Sequence, residues 1–305
     1  MISSGQRELR RQTIGSSDAA AILGVDPWRS AGDVYFSKVA TLDDQPNAAM
    51  QIGNRMERTI LDFAEEMLGV SLQRDVMQVS DLGPFSANLD GLCGDCVVEA
   101  KYVGPKSADY WGEPGTDAVP DHVLVQVQHQ MMITRRPVAH VAAAICRYQG
   151  LSFEMYAVPA DEDIMGNLLT ILGGWWAKYV ATKTPPPDSP PHLEILKRIR
   201  RLPESVLLDG PAGGIASILW QQREEAADAV KAAEEVKDAV TAKLLALLGG
   251  HEAARLPDGR LLVYREENAG TRVDISRLRM EHPALFSELS APTTRRILRL
   301  KKGPK

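Results

Sequence analysis

Asn88-Leu-Asp-Gly-Leu-Cys-Gly-Asp-Cys-Val-Val-Glu-Ala-Lys101 is the stretch on which the fold turns. It continues a short extended run from Phe85 to Leu89. Gly91 to Asp95 then has the composition of a hairpin turn, and Cys96 to Val103 is rich in β-branched residues. Side chains two apart on a strand share a face, so Glu99 and Lys101 point the same way. Pairing across the turn places Asp90, at the end of the first strand, beside them. Two carboxylates and one ammonium on a single spot suit metal-assisted cleavage of a phosphodiester. The carboxylates hold a hard divalent cation, which polarises the phosphate and acidifies an attacking water. The lysine positions that water and offsets charge in the transition state. The backbone carbonyl of Ala100, between them, offers a further metal ligand. The plain alternative is an exposed strand face bearing a Glu-x-Lys ion pair. Against it, Val97, Val98, Ala100 and Val103 read as a buried strand, where unpaired charge is costly.

Upstream of this hairpin, Ser17 or Asp18 can cap a short helix from Ala19 to Leu23 that Gly24 ends, and a second short helix begins at Asp33. Apolar residues recur at helical spacing from Met50 to Leu68, with Gly69 as the stop, and Leu72 to Val79 alternates as a strand does. Downstream, Val123, Val127 and Met131 predict a helix over 120–134. Val138–Arg147 and Leu151–Val158 predict a strand pair, and 161–180 predicts a closing helix. Residues 1–183 therefore read as one mixed α/β unit. Residues 184–191 carry five prolines in eight positions and read as a linker. Residues 192–305 form a C-terminal extension: a long amphipathic helix over 215–248, a hairpin around Asp258-Gly259, and a basic tail, Arg295 to Lys305, that contains no acid.

The 305 residues carry a formal net charge of -5, with 44% hydrophobic and 25% charged residues. That composition provides a sizeable core and argues against a protein that coats nucleic acid over its whole surface, while leaving room for a local path to phosphate. Three cysteines give no disulfide framework and fit a reducing cytoplasm. Neither an apolar leader nor a run of about 18 apolar residues is present, which predicts a soluble, non-exported protein.

The Asp-Gly, the spacing of eight residues and the Glu-x-Lys resemble the PD-(D/E)xK nuclease core, and four blocks, three of them flanking the hairpin, narrow the resemblance to the lambda-exonuclease or YqaJ-like viral recombinase family. These blocks are Arg10 followed by Ile14-Gly-Ser-Ser-Asp-Ala-Ala-Ala-Ile-Leu-Gly24, Ile52-Gly-Asn-Arg-Met-Glu-Arg58, the hairpin itself, and Val125-Gln-Val-Gln-His-Gln-Met-Met-Ile-Thr134. The resemblance covers about residues 7–180, in order. One departure is Leu89, where the motif has a proline that shapes the turn. The resemblance implies a restriction-endonuclease-like core, a central mixed sheet flanked by helices. It also implies metal ligands at Asp90, Glu99, Ala100 and Glu57, and a water-orienting Lys101. Gln126 or Gln128 would stand near the reaction, and Arg10, Ser16 and Ser17 would hold a 5′-phosphate. The implied cofactor is Mg2+, with Mn2+ able to substitute. The implied activity is 5′-to-3′ digestion of one strand of linear duplex DNA, leaving 3′ single strands for phage-type recombination.

Double-stranded DNA ends, a single-strand annealing protein and further copies of the chain, in a trimeric ring, are the implied partners. The implied setting is the cytoplasm of a bacterial host, with a phage or prophage origin and no membrane. Two rival readings share the core: an endonuclease of restriction or repair type, and a non-catalytic module that binds DNA ends. Cys93-x-x-Cys96 spans a turn rather than a helix start and reads as fortuitous, and Trp175-Trp176 reads as core.

Overall fold

The computed structural model describes residues 4–42, 48–201, 205–266, 273–291 and 298–299. The basic tail therefore lies outside the described residues, apart from Leu298 and Arg299. The chain opens with α1 (Ser4–Gln12), which the sequence reading did not anticipate, and β1 (Ile14–Gly15). Next come α2 (Ser16–Ile22), α3 (Ala31–Val39) and α4 (Ala48–Leu68), where Gly69 takes φ +65 and ends the helix. Three strands follow: β2 (Gln73–Val79), β3 (Phe85–Leu92) and β4 (Cys96–Val103). Then come α5 (Asp121–Thr134), β5 (Val138–Arg147), β6 (Gly150–Pro159) and α6 (Glu162–Trp175), which is extended by a π-helical turn to Val180. The short α7 (Leu193–Arg198) comes last in this part of the chain.

The sheet runs β1-β3-β4-β5-β6, with β2 also pairing to β3. β1 is parallel to β3 and β4 is parallel to β5, while β2–β3, β3–β4 and β5–β6 are antiparallel. The expected class, a mixed sheet flanked by helices, is what the chain adopts. β4 and β5 are covered on both faces, which explains why they read as near-continuous apolar runs. Val97, Val141 and Ala143 pack with Val123, Val127 and Met131 of α5. Their neighbours Val98, Ala142 and Ala144 pack with Ile60, Leu61 and Ala64 of α4. Alternation along β4 thus gives Glu99 and Lys101 to the α5 face. Truncating a side chain such as Met131, which is 1% exposed, costs about 2–5 kcal/mol by removing packing and leaving a void.

β3 and β4 pair over only two rungs, Gly91↔Val98 and Leu92↔Val97, before they part. β3 runs on to Leu92, beyond the strand end expected at Leu89, so the turn is shorter than the composition suggested. Cys93 and Cys96 are joined by a disulfide across that turn, correcting the reading of the pair as fortuitous. The close spacing of a two-residue hairpin turn is what brings the two sulfurs together.

Two compact units divide the chain, Met1–Arg201 and Leu202–Lys305. The proline-rich segment lies within the first, seated on α3. The Ser30 hydroxyl donates to Pro190 O at 2.9 Å, Ala31 N donates to Ser189 Oγ at 3.1 Å, and His192 N donates to Asp33 Oδ1 at 2.7 Å. A Cβ on Gly32 would meet Ser189 O at 2.4 Å, so only glycine admits the segment here. The second unit holds α8 (Gly210–Leu248), the hairpin β7 (Ala253–Arg255) and β8 (Leu261–Val263), α9 (Ile275–Glu281) and α10 (Pro283–Leu289). This is the expected helix-plus-hairpin extension, with Gly259 at φ +87 in the turn.

Candidate active site

Where β3 and β4 part, a side chain replaces the missing rung: Ala100 N donates to Asp90 Oδ2 at 2.9 Å. The bond holds Asp90 across the gap and turns its carboxylate toward Glu99. Glu99 is 4% exposed and has both oxygens engaged. Lys101 Nζ and Gln126 Nε2 each donate to Oε1 at 2.6 Å, and Gln130 Nε2 donates to Oε2 at 2.6 Å. Lys101 Nζ also donates to Gln126 Oε1 at 2.8 Å, closing a ring of three side chains. Such charge-assisted bonds fix the carboxylate's orientation more firmly than neutral ones.

Glu57 projects from α4 into the same cleft, a space of about 300 Å3 lined also by Gly53, Asn54, Asp90, Glu99 and Lys101. Burial first, then the charge of Glu99, pushes the Asp90 pKa well above the usual carboxylate range. Glu57 is raised by burial and by the charges of Asp75 and Glu99. Burial works against the charged form of Lys101, but the charge and hydrogen bond of Glu99 outweigh it, so the ammonium is stabilised. Clustered carboxylates whose pKa values rise together mark a place where a cation relieves repulsion.

The donor set suits a hard divalent ion: the carboxylates of Asp90 and Glu99 with the Ala100 backbone between them, and a third carboxylate, Glu57, lining the same cleft. The three are nevertheless spread out. Among the described residues, Glu57, Asp90 and Glu99 do not bring their ligand oxygens within 4.8 Å of one another; Cys93, Asp95 and Cys96 do, but the two sulfurs are tied up in the disulfide.

The two glutamines left open by the sequence separate cleanly. Gln126 faces the site. Gln128 does not, because two residues along a helix turn the side chain about 200°. Its Nε2 donates to Pro159 O at 2.8 Å and its Oε1 accepts from Asp161 N at 3.0 Å, so it pins the start of α6. Gln130 was missed. Its signal was the four-residue spacing from Gln126, which places both on one helix face.

The three residues expected to hold a phosphate also separate. Arg10 is exposed at the end of α1, with its carbonyl accepting from Lys38 Nζ at 2.7 Å. Ser17 is exposed at the start of α2. Ser16 is buried instead, its Oγ 3.0 Å from Nδ1 of the fully buried His129, because the first turn of α2 faces α5 there. Beneath them Asp18 ties the layer together, accepting from Lys38 Nζ at 2.5 Å and Arg29 NH2 at 2.8 Å. Burial opposes ionisation of Asp18, but the two cations prevail and hold its carboxyl far below the usual range. Trp175 is in the core beside Leu168 and Leu172, as expected.

The Asp-Gly and Glu-x-Lys strands, the carboxylate on α4 and the glutamine-bearing α5 thus occur in one place and in the expected chain order. Residues 7–137 match the YqaJ-like viral recombinase domain. The family resemblance carried by the motifs holds for this segment. An uncharacterised protein YqaJ of Bacillus subtilis (strain 168) is 24% identical over 128 residues, which cover 40% of this chain and 39% of that protein. The chain therefore spans well under half the length of that relative. Among solved structures, an alkaline exonuclease, LHK-Exo, from Laribacter hongkongensis is 17% identical, covering 59% of this chain and 94% of that one, with a TM-score of 0.47. A phage-related exonuclease from Haemophilus somnus 129PT is 11% identical, covering 56% and 96%, with a TM-score of 0.41. No helix among the described residues is long and apolar enough to cross a membrane.

Proposed function

We propose that the YqaJ-like segment is a metal-dependent exonuclease acting on the ends of double-stranded DNA. The observation that carries this reading is the ring of Glu99, Lys101 and Gln126 beside Asp90, at the fork between β3 and β4. Asp90, Glu99 and the Ala100 carbonyl would hold Mg2+, or Mn2+ in its place, with Glu57 facing them. The cation would polarise the scissile phosphate and acidify a bound water. Lys101, kept charged by Glu99, orients that water and offsets negative charge on the phosphate as the bond breaks. Gln126 holds Lys101 and Glu99 in register, and Gln130 secures the far oxygen of Glu99.

The 5′-to-3′ direction, the 3′ single strands, an annealing partner and a ring of copies rest on the family resemblance. Arg10 and Ser17, both exposed and carried by the chain's first two helices, are the groups proposed to meet a terminal 5′-phosphate. Incubating 5′-phosphorylated linear duplex with the protein, with and without Mg2+, tests the reading. Progressive release of mononucleotides that requires both the cation and a free end is expected. Cleavage of closed circular duplex at a comparable rate would replace the exonuclease with an endonuclease. Absence of any cleavage with either cation would leave only the binding module.

A further inference from the structure

Trp28 is 63% exposed, yet the loop that carries it is tightly held. Asp26 Oδ1 accepts from the backbone N–H groups of Trp28 at 2.8 Å and Arg29 at 3.2 Å, closing the loop on itself. Arg29 then anchors the loop to α2 through Asp18 at 2.8 Å. A single exposed aromatic is unremarkable on a soluble surface. Here, however, the backbone is fixed from both sides while a large apolar ring is left facing water.

The position of that ring is informative. Its centroid is 5.2 Å from that of His122, with the rings at 86°, so the imidazole braces the indole edge to face. His122 lies on the first turn of α5, one turn before Gln126, the residue bonded to Lys101 and Glu99. The neighbourhood is electrostatically continuous: the charge of Asp26 is felt at both Lys101 and His122. Burial, followed by the Lys101 charge, lowers the His122 pKa and keeps the imidazole neutral. Through Arg29 and Asp18 the same loop is tied to the start of α2, beside Ser17. Trp28 is thus linked on one side, through His122, to the helix that carries Gln126 and on the other, through Arg29, to the start of α2.

We infer that Trp28, braced by His122, is a stacking site for the nucleobase of the terminal nucleotide of the strand being digested. This rests on the reading of the chain as a DNA-end exonuclease. Every base has a π-face, so a flat ring held beside the scissile phosphate grips the end nucleotide without reading sequence. An indole suits this role because it loses little side-chain freedom on binding. The stack orients the nucleotide once its pairing has frayed, and no bond to the base edges is needed.

The test compares wild type, Trp28→Ala and Trp28→Phe on two 5′-phosphorylated duplexes, one ordinary and one with an abasic terminal nucleotide. Release of the first nucleotide is followed at subsaturating enzyme. Trp28→Ala is expected to lower kcat/KM on the ordinary end about tenfold, and Trp28→Phe to recover most of it. The abasic end should slow the wild type by a similar factor and Trp28→Ala no further. Equal losses for Trp28→Ala on both ends would show that the ring does not touch the base and overturn the site. A second arm needs no catalysis: 2-aminopurine at the terminal position, with Ca2+ in place of Mg2+, should be quenched on binding wild type and not Trp28→Ala. Quenching that is the same with both proteins would also overturn it. A wild type that digests nothing yet quenches the probe would instead overturn the exonuclease reading and leave the stacking site standing.

Discussion

Gln130 donates to Oε2 of Glu99 at 2.6 Å from a fully buried position, one helical turn beyond the glutamine that takes the other oxygen. Among the described residues its Oε1 has no hydrogen-bond partner, so the side chain is held by that one donated bond. A hydrogen bond to a charged group contributes about 1.5–3 kcal/mol. Gln130→Leu keeps the volume and removes the bond, and should lower turnover by about ten- to a hundredfold through a misplaced carboxylate. Gln128→Leu should leave turnover near wild type and lower the melting temperature instead. Steady-state kinetics and thermal unfolding of both variants separate the two roles. Equal turnover for both would mean that Gln130 only fills space.

Lys101→Ala is expected to abolish cleavage while the protein still folds and binds duplex ends, because the ammonium acts on water and transition state. Asp90→Asn and Glu99→Gln should fail differently, by losing affinity for Mn2+ in calorimetric titration. A Lys101→Ala protein with near wild-type turnover would remove the lysine from the mechanism. Unchanged Mn2+ binding in both carboxylate variants would move the ligands elsewhere.

Removing the 5′-phosphate should slow digestion, and Arg10→Ala should erase most of that preference, since a guanidinium pairs with phosphate through two parallel bonds. The structure sharpens the expectation for the serines. Ser17→Ala should reduce the preference, whereas Ser16→Ala should change stability and not end recognition, because its hydroxyl meets His129. Persistence of the full preference in Arg10→Ala would pass the role to Arg11.

His129 gives stability a pH dependence. Burial lowers its pKa to about 4 from 6.5, so the folded state keeps the ring neutral where the unfolded chain takes up a proton. The unfolded state binds more protons between these values, so stability is complete above about pH 6.5 and falls as pH drops toward 4. The loss is on the order of 3 kcal/mol. Urea midpoints at pH 7.5 and pH 5 should differ for wild type and differ much less for His129→Leu. Parallel pH profiles for the two proteins would assign the acid sensitivity to other groups.

Strong periodicity made most of the first unit readable. The Ile52–Leu68 stripe, the Val123–Met131 spacing and the β-branched run from Cys96 correspond to α4, α5 and β4 within a few residues. The pairing of Glu99 with Lys101 followed from the two-residue repeat of a strand. What escaped was whatever depends on partners distant in sequence. α1 carries too few apolar residues to show a stripe. Ser16 looked like a phosphate ligand until His129, far along the chain, claimed its hydroxyl. The proline-rich segment reads as a spacer by composition, and only the bare backbone of Gly32 shows where it is seated.

The fork between β3 and β4 leaves one amide in an unusual situation. In a sheet, a backbone N–H is shielded from deuterium exchange by the neighbouring strand and opens only when the ladder does. The Ala100 N–H is shielded by the carboxylate of Asp90 instead. Its exchange is therefore a local gauge of a single side chain, readable in the resting protein without DNA or turnover. The amides of Val97 and Val98, on the intact rungs, serve as its internal reference. In Asp90→Ala the Ala100 amide should exchange much faster while those two keep their protection, a loosening at one atom that melting curves would not register.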